Sequence, residues 1–202
     1  MEETKMKKVH NPKPEALADD RREQIKKAAL KVFSKRGLQA AKMNMIAEEA
    51  GVSQGLSYRY FSSKEELFAI LVKEALEEAE SSLADVTRLS GSPKERLRAF
   101  TLTMLDETHK EYFMLLRYAQ IEEGMPEQIR QILETYPADR TIGQLVPLFH
   151  QGQQAGEFSE GEPDKLLYFY LSVITGLMLQ DVPGNDGNWK NEVDRLMKLI
   201  LK

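Results

Sequence analysis

The 202-residue chain is 42% apolar and 30% charged, enough of each to bury a core beneath a polar surface, which excludes global disorder. It contains no cysteine, which excludes disulfide staples, thiolate nucleophiles and thiolate metal sites and fits a reducing, cytoplasmic setting. The formal charge of −4 hides a split: residues 1–64 hold 14 Lys+Arg against 8 Asp+Glu, and residues 65–202 hold 14 against 24, a basic head on an acidic body suited to meeting phosphates with one end only.

Residues 1–20 mix charges with Pro12 and Pro14 and read as a loose tail whose lysines (Lys5, Lys7, Lys8, Lys13) could follow a nucleic-acid backbone. A first helix is expected over 21–36. Ile25, Ala28, Ala29, Val32 and Phe33 repeat at i, i+3, i+4, i+7, i+8, while Lys26, Lys27, Lys31 and Lys35 face water and Gly37 is the stop. A short helix follows over 43–50, with Met43, Ile46, Ala47 and Ala50 on one face. Gly51 turns the chain, and Ser53 caps a helix over 54–60. Ser63, with Glu66 three places on, has the capping-box spacing that opens a longer helix to about 83. Further helices are expected over 93–109, 111–123, 126–153, 163–182 and 188–201, with Pro137 and Pro147 interrupting the third. Alternating runs and hairpin turns are lacking, so the fold class is all-α. The most apolar stretch, 166–179, contains Ser172, Thr175 and Gly176 and is too short to span a bilayer, so no membrane role is expected.

The informative segment is MNMIAEEAGVSQGLSYRYF, residues 43–61. Two short helices meet at a sharp angle only where side chains at the crossing are small. Ala47 supplies one, and Gly51, four residues on, can take the positive φ of the turn. Ile46 and Val52 cover the crossing. The second helix can then present Gln54, Ser57, Tyr58 and their neighbours to a DNA major groove, a helix-turn-helix over about 43–62. Gln54 can pair bidentately with adenine.

Around this motif, RREQIKKAALKVFSKRG, IAEEAGVSQG, YRYF and SKEELF together resemble the TetR-type family of bacterial transcriptional regulators over about residues 21–81, and only in general layout beyond. The resemblance implies a three-helix DNA-binding head over 21–81 and a helical ligand-binding and dimerisation domain over 82–202. It also implies DNA contacts from Lys42 and Asn44 at the start of the second helix, and from Ser53, Gln54, Gly55, Ser57, Tyr58, Arg59 and Tyr60 on and beside the third. Lys64, opening the long helix, would meet a phosphate, while Phe61 packs inward. Two departures stand out. Lys42 replaces the commoner threonine, and Ser57 sits where an apolar side chain is usual; its hydroxyl either bonds back to the Ser53 carbonyl or turns toward DNA.

In the body, residues 163–182 carry two apolar stripes: Leu166, Phe169, Tyr170, Val173 and Leu177, and Leu167, Leu171, Ile174 and Met178. A helix apolar on two faces must be covered twice. With Val193, Leu196, Met197 and Ile200 of the last helix it is expected to pair with a second copy in a four-helix interface, Leu166, Phe169, Val173 and Leu177 taking part. A two-fold dimer would read a palindromic double-stranded operator. Phe100, Met104, His109, Phe113, Tyr118, Tyr136, Phe149 and Phe169 are the expected lining of a site for an unidentified small organic ligand. No phosphate loop, metal-ligand spacing or nucleophile–base pair appears, so no catalytic residue, metal or cofactor is expected and the chain reads as a regulator, a repressor released by ligand, rather than an enzyme. The alternative is a helical module for a protein partner with a degenerate helix-turn-helix. Selection from random duplexes separates the two.

Overall fold

The computed structural model describes residues 14–180 and 189–202. Among them are α1 (Pro14–Ala40), α2 (Met43–Glu49), α3 (Gln54–Tyr60), α4 (Lys64–Arg88), α5 (Pro93–Met104), α6 (Glu107–Ile121), α7 (Glu127–Thr135), α8 (Ala138–Gln154), α9 (Pro163–Leu179), a 3-10 turn (Trp189–Glu192) and α10 (Val193–Met197). No strand occurs among the described residues; one antiparallel bridge joins Phe158 to Leu201. The lysines of the expected tail lie outside them.

The periodic stripe of α1 does what its spacing predicts: Ile25, Ala28, Ala29, Val32 and Phe33 are all buried, and Phe33 meets Phe68 of α4 edge-on at 4.9 Å. The helix begins at Pro14, earlier than expected, which a proline tolerates because a first-turn amide needs no partner. Gly37, at φ 68°, breaks it before a last turn at residues 38–40. Lys26 departs from expectation. It is buried, paired with Glu74 of α4 at 2.7 Å and with Glu23 at 3.0 Å. Burial alone would depress its pKa, but the hydrogen bonds and charges of Glu74 and Glu23 outweigh that and hold it above the ordinary lysine value.

Two buried clusters divide the molecule. The first joins α1–α4 through Ala75 with Leu115 and Ala119 of α6, Met125, and Ile129 of α7. The second begins at Leu83 and gathers Phe100, Leu145, Phe149, Phe158, Leu167, Tyr170, Ile174 and the end of the chain. Helix α4 therefore runs from one core into the other, and α6 and α7 lend apolar side chains to the first. Ser63 caps α4 by accepting from the Glu66 amide, while Glu66 turns its carboxylate to the amide and hydroxyl of Ser62, one residue earlier than a capping box requires. Those bonds hold the Glu66 carboxyl below its usual pKa.

The body departs from expectation mainly where prolines and the C-terminus act. Pro137 separates α7 from α8, whereas Pro147 sits inside α8 without ending it. Beyond α10 the chain turns back, the Ser159 amide donating to Ile200 O at 2.8 Å, while Arg98 of α5 grips Asp194 of α10 itself at 2.7 Å. In α9 the inward face is Leu167, Tyr170, Ile174 and Met178, so Tyr170 leaves the stripe assigned to it. Its hydroxyl is 2.8 Å from Thr101 Oγ1 and 3.1 Å from Met197 Sδ, and burial pushes its pKa up to about 12.

Candidate nucleic-acid interface

Seven residues are too few for a helix to persist alone in water, so α2 and α3 must be held by what surrounds them. Helix α2 lays Met43, Ile46 and Ala47 on the core. It ends in a Schellman arrangement: with Gly51 at φ 64°, the Gly51 amide donates to Glu48 O at 3.0 Å and the Val52 amide to Ala47 O at 2.9 Å. Gln24 of α1 reaches the same end, donating from Nε2 to Ala50 O at 2.7 Å. Ser53 then caps α3, its hydroxyl accepting from the Leu56 amide. At the far end Phe61 is buried beneath Arg22, whose guanidinium lies 4.9 Å from the ring centroid.

This framing leaves one side of α3 in water. Gln54, Gly55, Tyr58 and Arg59 are exposed, and Lys42 and Asn44 are exposed at the start of α2. Tyr60 is half-buried against the core. A side chain at Gly55 would meet nothing within 4 Å, so the fold itself makes no demand for glycine there. Lys42, Tyr58, Ser62 and Ser63 line a shallow cleft between α2, α3 and the start of α4, and Glu65 is the carboxylate beside it.

Two expected DNA contacts are corrected. Ser57 is fully buried at the α2–α3 crossing, so it cannot face a groove; its hydroxyl has no hydrogen-bond partner, and the bond back to Ser53 is not made. Lys64 lines the same cleft but turns its ammonium inward, donating to the carbonyls of Leu38 at 2.8 Å, Ala41 at 3.0 Å and Gln39 at 3.2 Å. An ammonium has three donors, and all three are engaged, so the phosphate contact expected of Lys64 is not supported.

The expected ligand residues do not form one group. Phe100 and Phe149 are buried in the second core with half-buried Met104 and Phe113 against it, and Phe149 stacks on Phe158 at 4.7 Å. Tyr118 belongs to the first core, beside Gly37. His109 and Tyr136 are half-buried. Phe169 is 54% exposed on the outer face of α9 beside Tyr168, which removes it from any internal pocket. The expected dimer surface splits as well. Leu166, Val173 and Leu177 are half-buried on α9, but Val193, Leu196, Met197 and Ile200 are buried within the subunit, because the chain end folds back on α5 and on residues 157–159. They are not available to a second copy.

Sequence reasoning missed Glu122, whose carboxylate on the segment after α6 accepts from the amides of Leu38 and Gln39, both at 2.9 Å. Those contacts span more than eighty residues and leave no local signal. It also passed over Glu111 of α6. Burial raises the pKa of that carboxyl, against the pull of Lys31 and Lys35 and with Glu49 adding to the rise. Among the described residues no group of three or more His, Cys, Asp or Glu could hold a metal ion, and no helix is long and apolar enough to cross a membrane.

A short helix held by its neighbours and bare on one side, mounted on a helical body, defines a helix-turn-helix DNA-binding head. The family model for bacterial regulatory proteins of the tetR family matches residues 25–71. The chain is 28% identical over 145 residues to the transcriptional repressor NicS of Pseudomonas putida, covering 71% of this chain and 68% of that one. It is 33% identical to the transcriptional regulator PksA of Bacillus subtilis over 113 residues, and there it spans only 55% of the relative's length. Among solved structures the fold matches the ketosteroid transcriptional regulator KstR2 of Mycobacterium tuberculosis with a TM-score of 0.74 at 23% identity, over 90% of this chain and 95% of that one. It also matches a regulator from Saccharomonospora viridis solved with choline, with a TM-score of 0.67 at 19% identity, over 91% and 99%. Residues 25–71 thus carry a tetR-type DNA-binding head, and in sequence and fold the chain is similar to transcriptional regulators of that family.

Proposed function

We propose that this regulator works as a homodimeric cytoplasmic repressor that reads a palindromic operator and leaves it when a small organic molecule binds the body. The observation that carries the reading is Gly55. Glycine is a poorer helix former than alanine, and no neighbour within the chain occupies the space a side chain would take at Gly55. Such a glycine is accounted for by the close approach of a duplex. Gln54, Tyr58 and Arg59 are then the candidates for base edges and adjacent backbone, Lys42 and Asn44 for flanking phosphates, and Tyr60 for a backbone contact made by its half-exposed edge. Ser53 keeps its cap, its hydroxyl accepting from the Leu56 amide, and has its O–H left to donate to a phosphate.

The dimer surface is assigned to the outer side of α9, where Tyr168 and Phe169 are exposed and Val173 and Leu177 half-exposed, with α8 packed alongside. Large aromatic side chains bared together on a helix are costly in water and are the usual anchors of an interface. The ligand site is assigned to the half-buried Met104 and Phe113, which pack against the core that holds Phe100 and Phe149. The complex of a same-fold regulator with choline supports a small-molecule ligand for this chain. Selection from random duplexes tests the whole. The expected product is an inverted repeat with half-sites about 34–36 Å apart, or a multiple of that spacing. A single asymmetric site, or no enrichment, overturns the reading.

A further inference from the structure

The turn at residues 37–41 is the joint between α1 and the helix-turn-helix, and it is gripped from two directions. Gly37 starts it with φ 68°, leaving the amides of Leu38 and Gln39 pointing out of the end of a new turn. Both donate to the two carboxylate oxygens of Glu122, one to each, at 2.9 Å. The carbonyls of Leu38, Gln39 and Ala41 point the other way and accept from the Lys64 ammonium. An anion thus faces the amide end of the turn and a cation its carbonyl end, the sense in which peptide dipoles favour both. Glu122 follows α6, whose packing along α1 is the most extensive helix pairing in the molecule, while Lys64 is the first residue of α4. The space is closed as well. A side chain at Gly37 would come within 2.9 Å of Glu122 Oε2 and of the Tyr118 ring.

From this geometry we infer that Glu122 and Lys64 are positioning residues for DNA binding. They form a clasp on residues 37–41 that fixes how α2 and α3 stand relative to the body, and a shift of α6 reaches the head through it. The inference rests on the operator-reading function proposed above. The physical ground is that α2 begins two residues after the clasped turn, so any rotation of residues 38–41 carries α2 and α3 with it. The Lys64 ammonium is fully used in holding the turn, which makes its contribution to DNA binding indirect. The clasp also gives the body a route to the head separate from the length of α4, since Glu122 touches the turn through no part of that helix.

The test compares full-length wild type with Glu122→Ala, Glu122→Gln, Lys64→Met and, as a control on the exposed neighbour, Glu123→Gln. Amide hydrogen exchange is read without DNA, and affinity is read for both the selected operator and a random-sequence duplex of equal length. In Glu122→Ala the Leu38 and Gln39 amides are expected to exchange about tenfold or more faster, and operator affinity to fall about tenfold, within the usual range of coupling between sites. Affinity for the random duplex stays within about twofold, because no phosphate contact has been removed. Lys64→Met gives the same pattern, and Glu123→Gln behaves as wild type. Glu122→Gln keeps one acceptor oxygen but turns an NH2 toward the other amide, so it falls between. If Glu122→Ala does not fold, as judged by its thermal transition, the glutamine variant carries the decision on the same two readouts. Faster exchange with unchanged operator affinity overturns the inference, and so does an equal loss on both duplexes, which for Lys64→Met would return that residue to the phosphates. A wild type that does not prefer its selected operator removes the underlying function instead, and is told apart because the exchange difference persists without DNA.

Discussion

Replacing Ser57 by alanine is expected to stabilise the protein without weakening its hold on DNA. Ser57 lies mid-way along α3, fully buried against α2, and its hydroxyl finds no partner. An unpartnered buried hydroxyl costs about 1–3 kcal/mol. Alanine is also the better helix former by about 0.5 kcal/mol. Against this stands an oxygen-sized void of roughly 15 Å3, which at about 24 cal/mol per Å3 takes back about 0.4 kcal/mol. The balance favours alanine by about 1–3 kcal/mol, and in a chain of this size each kcal/mol raises Tm by roughly 2–4 °C. Urea unfolding is the assay: the midpoint should rise with the slope unchanged, as for a mutation that alters stability and not compactness. Operator affinity should stay within about twofold, because the side chain faces the core rather than the groove. An unchanged or lower midpoint refutes the reasoning, since it would mean that the hydroxyl is paired in solution and that its removal opens a cavity instead.

Phe169→Glu should dissociate the proposed dimer. Losing an aromatic anchor costs about 2 kcal/mol or more on each side of a two-fold interface, or about a thousandfold in Kd for the pair; sedimentation of a still-dimeric variant at micromolar concentration would move the interface elsewhere. Glu111→Gln should stabilise the protein at neutral pH and lose that gain in acid. The folded carboxyl binds its proton more tightly than the unfolded one, so ionisation works against the fold as pH rises above the ordinary glutamate value of 4.5, and only there does the amide help. Stability curves of the two proteins that run parallel from pH 3.5 to pH 7.5 would count against it.

The head was legible because its signals are local. The stripe of α1, the Gly51 turn and the Ser53 cap lie within a few residues of what they control, and each appears where its spacing puts it. Lys26 was misread because a lysine on the flank of an apolar stripe looks solvated until α4 brings Glu74 to it. Lys64 and Ser57 were misread for a related reason: a resemblance carries over a position, but whether a side chain faces out or in depends on contacts made across the fold. In the body the periodicity located helices and blurred their ends. The two stripes of α9 could not tell which face met the subunit's own core, and Tyr170 went inward because Thr101 and Met197 offered its hydroxyl partners. The last helix looked free for a second copy only because nothing in its sequence shows that residues 157–159 bind the chain end.

These corrections bear on how the head can respond to the body. Helix α3 is seated on α2 through the buried crossing at Ser57, capped by Ser53 and followed by the buried ring of Phe61. Helix α1 adds further holds on the α2–α3 unit: Arg22 over Phe61, Gln24 on Ala50 O, and the turn at 37–41 that leads into α2. Helix α1 is in turn packed along α6, with Glu111 near Lys31 and Lys35 on α1 and Glu122 at the turn. A displacement of α6 therefore has two charged points of purchase on the element that carries the recognition helix. Because α2 and α3 are joined to α1 at these points, such a displacement would carry the recognition helix with it.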